Sequence, residues 1–380
     1  MIKIIFWVSI SLVLYTYFIY PLILMLLRLL KSRITVEEKD FYPSVSLIIS
    51  AYNEEKVLEA KIINCLQLSY PKDRLEIIIG SDGSTDRTET IANKYIEQGV
   101  RFLDFSRRTG KVNVLNNIIP QAKGGIIVLS DANTIYEPNS IQELVKHFIN
   151  PRIGCVCGKL ILKKPDTSYG GEFEGIYWKY ESFLKRLEGR MGFLLGANGG
   201  IYAIRKNLFE IIPTNTIVED FVIPMKILEN GYKIIYEPEA VAFEETSKSI
   251  AEEIKRKIRI GAGAYQAILL TIPMLNIFRG FPSFAYWSHK VIRWFVPFLL
   301  IFLLLFNILL IKESRYLYLF ILQCIGYLGA FTGYLLNKNK IQLKLFTPLY
   351  YFVAMNVALL IGFFRFIMGL QSVTWERVDR

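Results

Sequence analysis

An α/β domain on a mostly parallel sheet, set between apolar segments long enough to cross a membrane, is the fold this 380-residue sequence predicts. Two observations carry that expectation. From Pro43 to Leu129, short apolar runs alternate with amphipathic stretches. At the two ends lie four runs without a charged residue: Ile4–Leu27, Trp294–Ile311, Tyr316–Leu336 and Leu345–Phe364.

Each element follows from its residues. Pro43–Ser50 is β-rich and closes in A-Y-N-E-E. Glu54–Leu68 carries apolar residues at Val57, Leu58, Ile62, Ile63, Cys65 and Leu66, a helical spacing. Leu75–Ile79 is a second strand, closed by G-S-D-G-S-T-D. Thr85–Gln98 reads as a helix capped by the acids at its start. Arg101–Phe105 is a third strand, Lys111–Gln121 a helix and Ile126–Leu129 a fourth strand. Strands apolar on both faces imply a parallel sheet covered by helices on both sides.

The uncharged runs approach the roughly 20 residues that span a ~30 Å hydrocarbon core. The first is longer than a signal-peptide core and lacks a small-x-small cleavage site. Arg28, Lys31 and Arg33 follow it, which favours a signal-anchor with the next domain in the cytosol. The basic loop Asn337–Lys344 fits the same side, and Lys312–Arg315 the opposite one. Counting spans then puts the C-terminal tail outside, unless Asn356, Gly362 and Arg365 break the final segment or make it re-enter. The resulting division is an anchor at 1–30, a cytosolic domain at 31–250 and interfacial amphipathic helices at 251–290. Three spans follow at 291–370, and a tail at 371–380.

Composition excludes several classes. Two histidines cannot build a zinc site of the histidine-cluster kind. Cys155 and Cys157 read as buried apolar residues rather than ligands. The net charge of +11 suits anionic lipid or a nucleotide diphosphate. Its basic residues flank the apolar runs, which argues against nucleic acid. A transporter is disfavoured by spans with few buried charges and no inverted repeat.

Ligands of open α/β sheets bind beyond the strands' carboxyl ends. Three polar clusters fall there: Ala51-Tyr52-Asn53-Glu54-Glu55, Ser81–Asp86 and Asp131–Asn133. Backbone and carboxamide around Asn53 and Glu54 sit at a helix start. Asp82 can accept a hydrogen bond from a base or ribose. Asp131 is a hard oxygen ligand for Mg²⁺ or Mn²⁺. A nucleotide diphosphate bridged by a divalent cation uses all three. No Walker A pattern and no G-x-G-x-x-G occurs.

A-Y-N-E-E, S-D-G-S-T-D-R-T, G-K-V-N-V-L-N, S-D-A-N-T, G-A-N-G-G-I-Y-A-I-R and V-E-D-F follow in that order. The series resembles the family 2 inverting glycosyltransferases over residues 44–266. It is most similar to the membrane-embedded branch of cellulose, chitin and hyaluronan synthases and bacterial polysaccharide enzymes. The resemblance implies a GT-A fold, Rossmann-like, with transmembrane helices. It implies hexosyl transfer from a nucleotide-sugar donor, UDP-linked, to a glycan or lipid-linked acceptor at a bacterial-type inner membrane. Polysaccharide-assembly proteins are implied partners, together with membrane lipids.

By the same resemblance Asp82 matches the nucleotide-contacting acid, with Ser81 where the family has another acid. Asp131 matches the first acid of D-x-D, and Asn133 replaces the second, leaving a carbonyl oxygen for the metal. Ala51, Tyr52, Asn53, Glu54 and Lys111 line the nucleotide pocket. Asp220 matches the catalytic base of T-E-D, with Glu219 a second acid or a helix-cap partner. Lys255–Ile260 takes the place of Q-x-x-R-W, with Arg256 at the glutamine, Arg259 at the arginine and Ile260 at the tryptophan. Arg259 would pair with the leaving diphosphate. Loss of the tryptophan bears against processive synthesis. The aromatic face Tyr177, Trp178, Tyr180 and Phe183 either lines an acceptor groove or packs. His289 is expected as a hydrogen-bonding residue of an interfacial belt. A non-catalytic nucleotide-sugar sensor or assembly partner on the same fold is the alternative.

Overall fold

The computed structural model describes residues 1–30, 41–163, 171–245, 250–339, 341, 343 and 345–374, with no account of side chains at 30, 171–177 and 250–251. Lys31, Arg33, the Tyr177 side chain, part of the 337–344 loop and residues 375–380 therefore lie outside the described set.

Among the described residues eight strands make one sheet: β1 Val45–Ala51, β2 Leu75–Asp82, β3 Val100–Phe105, β4 Ile126–Asp131, β5 Ile135–Tyr136, β6 Ile153–Lys163, β7 Tyr202–Arg205 and β8 Lys233–Glu245. Their order is β3-β2-β1-β4-β7-β6-β8-β5. The four strands expected from the sequence are mutually parallel. Beyond β4 the sheet is mixed, with β7 antiparallel to both β4 and β6. Every residue of β1 is buried, as a central strand covered on both faces demands. Ile48, Ile78, Ile127 and Leu129 pack on one face with helix Lys111–Gln121. Leu47, Ile49, Ile77, Ile79 and Val128 pack on the other with Leu58, Ile62 and Cys65 of helix Leu58–Leu66. This is the strand period of two at work. Cys155 and Cys157 are free thiols buried in that core.

The expected helix over 85–98 is shorter. It runs Thr88–Asn93, followed by a 3-10 turn at Ile96–Gln98. Asp86 Oδ1 accepts from the Thr88 amide at 2.9 Å, so the acidic start does cap it.

Among the described residues four helices are long and apolar enough to cross a membrane: Ile2–Leu29, Phe281–Leu310, Ser314–Lys338 and Phe346–Ile367. The soluble part is pinned to two of them by a buried polar cluster. Glu188, fully buried on helix Gly171–Met191, accepts from Tyr20 Oη at 2.8 Å and pairs with His289 Nδ1 at 2.6 Å. Glu181 on the same helix pairs with Arg293. His289 is thus a buried polar partner rather than a belt residue facing the interface.

Val373, in the described part of the tail, lies against the soluble domain, as a re-entering final segment places it and simple counting does not. Helix Phe346–Ile367 packs along helix Ile250–Leu270, where Gly261 and Gly362 let the two backbones meet. A Cβ on Gly362 would stand 2.6 Å from Ala262 N, so no larger residue fits this contact. Val373 then reaches the soluble domain, with its Cγ1 3.4 Å from the position of a Cβ on Gly110. Alternation of spans assumes that every apolar helix leads away from the domain, and this one leads back to it.

Candidate active site

The strand register brings the three polar tips together. Ser50 of β1 stands beside Gly80 of β2 on one side and Asp131 of β4 on the other. Ala51 follows beside Ser81. Asn53, at φ 55, turns the chain there. Its Oδ1 accepts from Thr85 N at 2.7 Å, and its own amide donates to Ser84 Oγ at 3.1 Å. Glu54 N donates to Thr88 Oγ1 at 2.9 Å. The first cluster is therefore stitched to the second. Tyr52 is stacked by the Arg108 guanidinium, 3.8 Å from the ring centre.

Asp82 has a task that sequence reading missed. It is buried, and its carboxylate accepts from Thr109 N at 2.7 Å and Gly110 N at 2.9 Å. It holds the loop that leads into helix Lys111–Gln121. Gly110, at φ 100, supplies a conformation few other residues adopt. The G-K pair in the sequence was the available signal.

That helix delivers Lys111. Its Nζ lies 2.7 Å from Asp131 Oδ1 and 2.7 Å from Glu219 Oε1. Burial alone would push this ammonium's pKa down, but the two carboxylates more than offset it and hold the group charged. Glu219 opens helix Glu219–Glu229 and makes no side-chain cap there. The cap expectation is corrected: Glu219 belongs to the charge network through Lys111. Asp220 is next in the chain. Its backbone oxygen accepts from Ala197 N at 2.8 Å, which docks the G-A-N-G-G loop on it. A Cβ on Gly199 would stand 3.1 Å from Asp220 Oδ2. Burial and the Glu219 charge raise the Asp220 pKa to about 6, with Lys111 and Lys185 pulling it back. A carboxyl so poised suits proton transfer near neutral pH.

Asn133 donates through Nδ2 to Glu244 Oε1 at 3.1 Å. Arg259 donates from Nη2 to Ile217 O at 3.2 Å, two residues before Glu219, and its buried Nε has no partner among the described residues. Arg256 pairs with Glu253 on its own helix at 2.9 Å. The structure thus brings Asp131, Lys111, Glu219 and Asp220 into one linked group, with Arg259 against the segment that leads to it.

Could these residues hold a divalent cation? Among the described residues no group of three or more His, Cys, Asp or Glu stands together as a ligand set. Asp131 and Asn133 offer one carboxylate and one amide oxygen, hard donors of the right kind. The Lys111 ammonium on Asp131 marks the position as one that accepts positive charge. The set fits a cation that takes its remaining ligands from a bound diphosphate, as Mg²⁺ commonly does.

A cleft of about 130 Å³ is lined by Trp178, Glu181, Ser182, Lys185, Asn198 and Lys257, and its Asn198 directly precedes Gly199, the residue packed on Asp220. Trp178 Nε1 donates to Leu160 O at 3.0 Å, which fixes the indole. Tyr180 packs elsewhere, its hydroxyl on Tyr17 O.

Residues 46–210 match the family described as Glycosyl transferase family 2. The chain carries a family 2 glycosyltransferase domain. The transferase domain is similar to the poly-beta-1,6-N-acetyl-D-glucosamine synthase of Staphylococcus aureus, 26% identical over 267 residues. That alignment covers 69% of this chain and 64% of the relative. The synthase of the same description from Staphylococcus epidermidis is 25% identical over 244 residues, 63% of this chain and 59% of that protein. The chain thus spans less than two thirds of the curated relatives it matches. In fold, the chain is similar to a mannosyltransferase from Pyrobaculum calidifontis solved with GDP-Man and Mn²⁺. The TM-score is 0.74 at 19% identity, over 96% of this chain and 99% of that one. The transferase domain is GT-A-like, with the apolar helices attached to it.

Proposed function

We propose that the protein is a membrane-bound inverting glycosyltransferase. It moves a sugar from a nucleotide-diphosphate donor, UDP-linked, to a glycan or lipid-linked acceptor of cell-envelope polysaccharide. The observation that carries this reading is the linked group Asp131–Lys111–Glu219 beside an Asp220 raised to about 6. In the reaction the bond from the anomeric carbon to the diphosphate breaks. A bond from the acceptor oxygen to that carbon forms on the opposite face. Asp220 accepts the acceptor's proton, so one base and in-line attack invert the centre. Arg259, whose Nε lacks a partner among the described residues, meets the leaving diphosphate. A divalent cation held by Asp131 and Asn133 supplies, when bound, further neutralisation of that leaving charge. Asp82 keeps the Thr109–Gly110 loop at the nucleotide. The cleft at Trp178 receives the acceptor. The N-terminal helix and the basic residues after it orient the domain toward the cytosol.

Release of nucleotide diphosphate tests this. Detergent-purified protein is given a panel of UDP- and GDP-sugars with Mn²⁺ or Mg²⁺ and lipid acceptors. Turnover with one donor, lost in Asp220→Asn, supports transfer. Tight donor binding without turnover under every condition supports the sensor reading instead.

A further inference from the structure

Lys61 is a charged residue in an apolar stripe. It sits on helix Leu58–Leu66 with Leu58, Ile62 and Cys65, and its relative exposure is 0%. A methionine or leucine at this position would pack with those neighbours at no electrostatic cost. An ammonium there costs several kcal/mol unless oxygen atoms surround it.

Lys61 has no carboxylate within ion-pair distance among the described residues. Its Nζ donates to Ser130 Oγ at 2.8 Å and to Thr134 O at 2.6 Å, with Thr134 Oγ1 at 3.4 Å. The Tyr136 ring closes the site, its centre 4.1 Å away. These acceptors have a particular placement. Ser130 immediately precedes Asp131, and Thr134 immediately follows Asn133. One ammonium, with three protons to give, thus joins the two ends of the turn that carries both cation-ligand candidates. The turn closes further on itself: Ser130 Oγ and Thr134 Oγ1 are 2.9 Å apart, and Thr134 Oγ1 donates to Asp131 O at 2.9 Å.

We propose that Lys61 is a positioning residue that braces the Asp131–Asn133 turn from behind and so sets its affinity for a divalent cation. The proposal rests on the reading of that turn given under the proposed function. Two effects of the ammonium oppose each other. Its charge repels a cation at Asp131, while its bonds fix the turn geometry that the cation needs. Hydrogen-bonding partners behind metal ligands typically govern affinity by 10–100-fold. At this site the brace outweighs the repulsion, because the ammonium's charge is spread over three oxygens and a ring face.

Mn²⁺ binding, read by electron paramagnetic resonance on the full-length protein in detergent with saturating UDP, tests this without turnover. Lys61→Met, which removes every bond of the brace, and Ser130→Ala, which removes its 2.8 Å side-chain acceptor, should each weaken Mn²⁺ binding, Lys61→Met by roughly tenfold. The double variant should bind no more weakly than Lys61→Met alone, because Ser130→Ala removes a bond that Lys61→Met already removes. Tighter Mn²⁺ binding in Lys61→Met would mean that repulsion dominates and would overturn the proposal. So would unchanged binding in both variants, or losses that simply add. Binding of UDP without metal is measured alongside. An equal loss there in Lys61→Met would mean general damage to the pocket and would also overturn it. Wild-type protein that binds UDP but never Mn²⁺ would remove the metal reading itself, and the brace with it.

Discussion

The Lys111 ammonium stands 2.7 Å from Glu219 Oε1, one residue before Asp220. The same ammonium holds Asp131. Asp131 and Glu219 therefore share one cation, and each feels a change at the other.

Removal of that cation should appear in the pH profile. Lys111 pulls the Asp220 pKa down against burial and Glu219. Lys111→Met takes the opposing charge away, so the Asp220 pKa rises above about 6. The proposed role of Asp220 as base requires it deprotonated, so the acid limb of kcat/KM should move to higher pH. A drop of roughly 10–100-fold at pH 7 is expected, partly recovered at pH 8.5. An acid limb that stays in place would sink this coupling.

Asp220 should weigh on stability with a definite sign. Its folded pKa is raised from 3.8 to about 6, so the folded state binds a proton more tightly than the unfolded state does. Its ionisation costs stability as pH rises through that window. Asp220→Asn should therefore raise Tm by about 2–4 °C at pH 7.5, and by much less at pH 4. Thermal unfolding at the two pH values, beside loss of turnover, checks both halves.

Gly199 gives a steric test of the base. An alanine methyl would sit 3.1 Å from Asp220 Oδ2 and push the carboxylate aside. Displacements on the order of 1 Å cost about 100-fold in rate. Gly199→Ala should lower kcat by roughly 10–100-fold with the donor KM nearly unchanged. An equal fall in donor affinity would place Gly199 on the nucleotide side instead.

The buried pair Glu188–His289 should matter for integrity rather than chemistry. Glu188→Ala leaves His289 and Tyr20 without their acceptor in a site of 0% exposure. Breaking such a pair costs about 3–5 kcal/mol. Loss of thermal stability in detergent, measured by fluorescence-detected size exclusion, is the expected result. An unchanged midpoint would contradict it.

Much of this was legible in the residues, for physical reasons. Buried parallel strands must be apolar on both faces, so the runs at Leu47–Ile49, Ile77–Ile79 and Ile127–Leu129 announce themselves. Parallel strands in sequence also fix which ends converge, and that brought Asn53, Asp82 and Asp131 to one edge. Long-range contacts were not legible. Nothing local links Lys111 to Glu219, 108 positions away, or Glu188 to Tyr20 and His289. Lys61 did leave a signal. It falls at the i, i+3, i+4, i+7 positions of Leu58, Ile62 and Cys65, where a charge is out of place. The antiparallel β7 is only four residues long and follows a glycine-rich loop, so alternation gave it no voice.

The contact of Val373 with Gly110 offers an experimental handle. Gly110 donates to Asp82, and Lys111 is the next residue, so Val373 is a neighbour of the proposed nucleotide end of the site. An environment-sensitive dye on Val373→Cys would watch that corner directly. Its reading would follow occupancy in real time, with no need for a radiolabelled sugar.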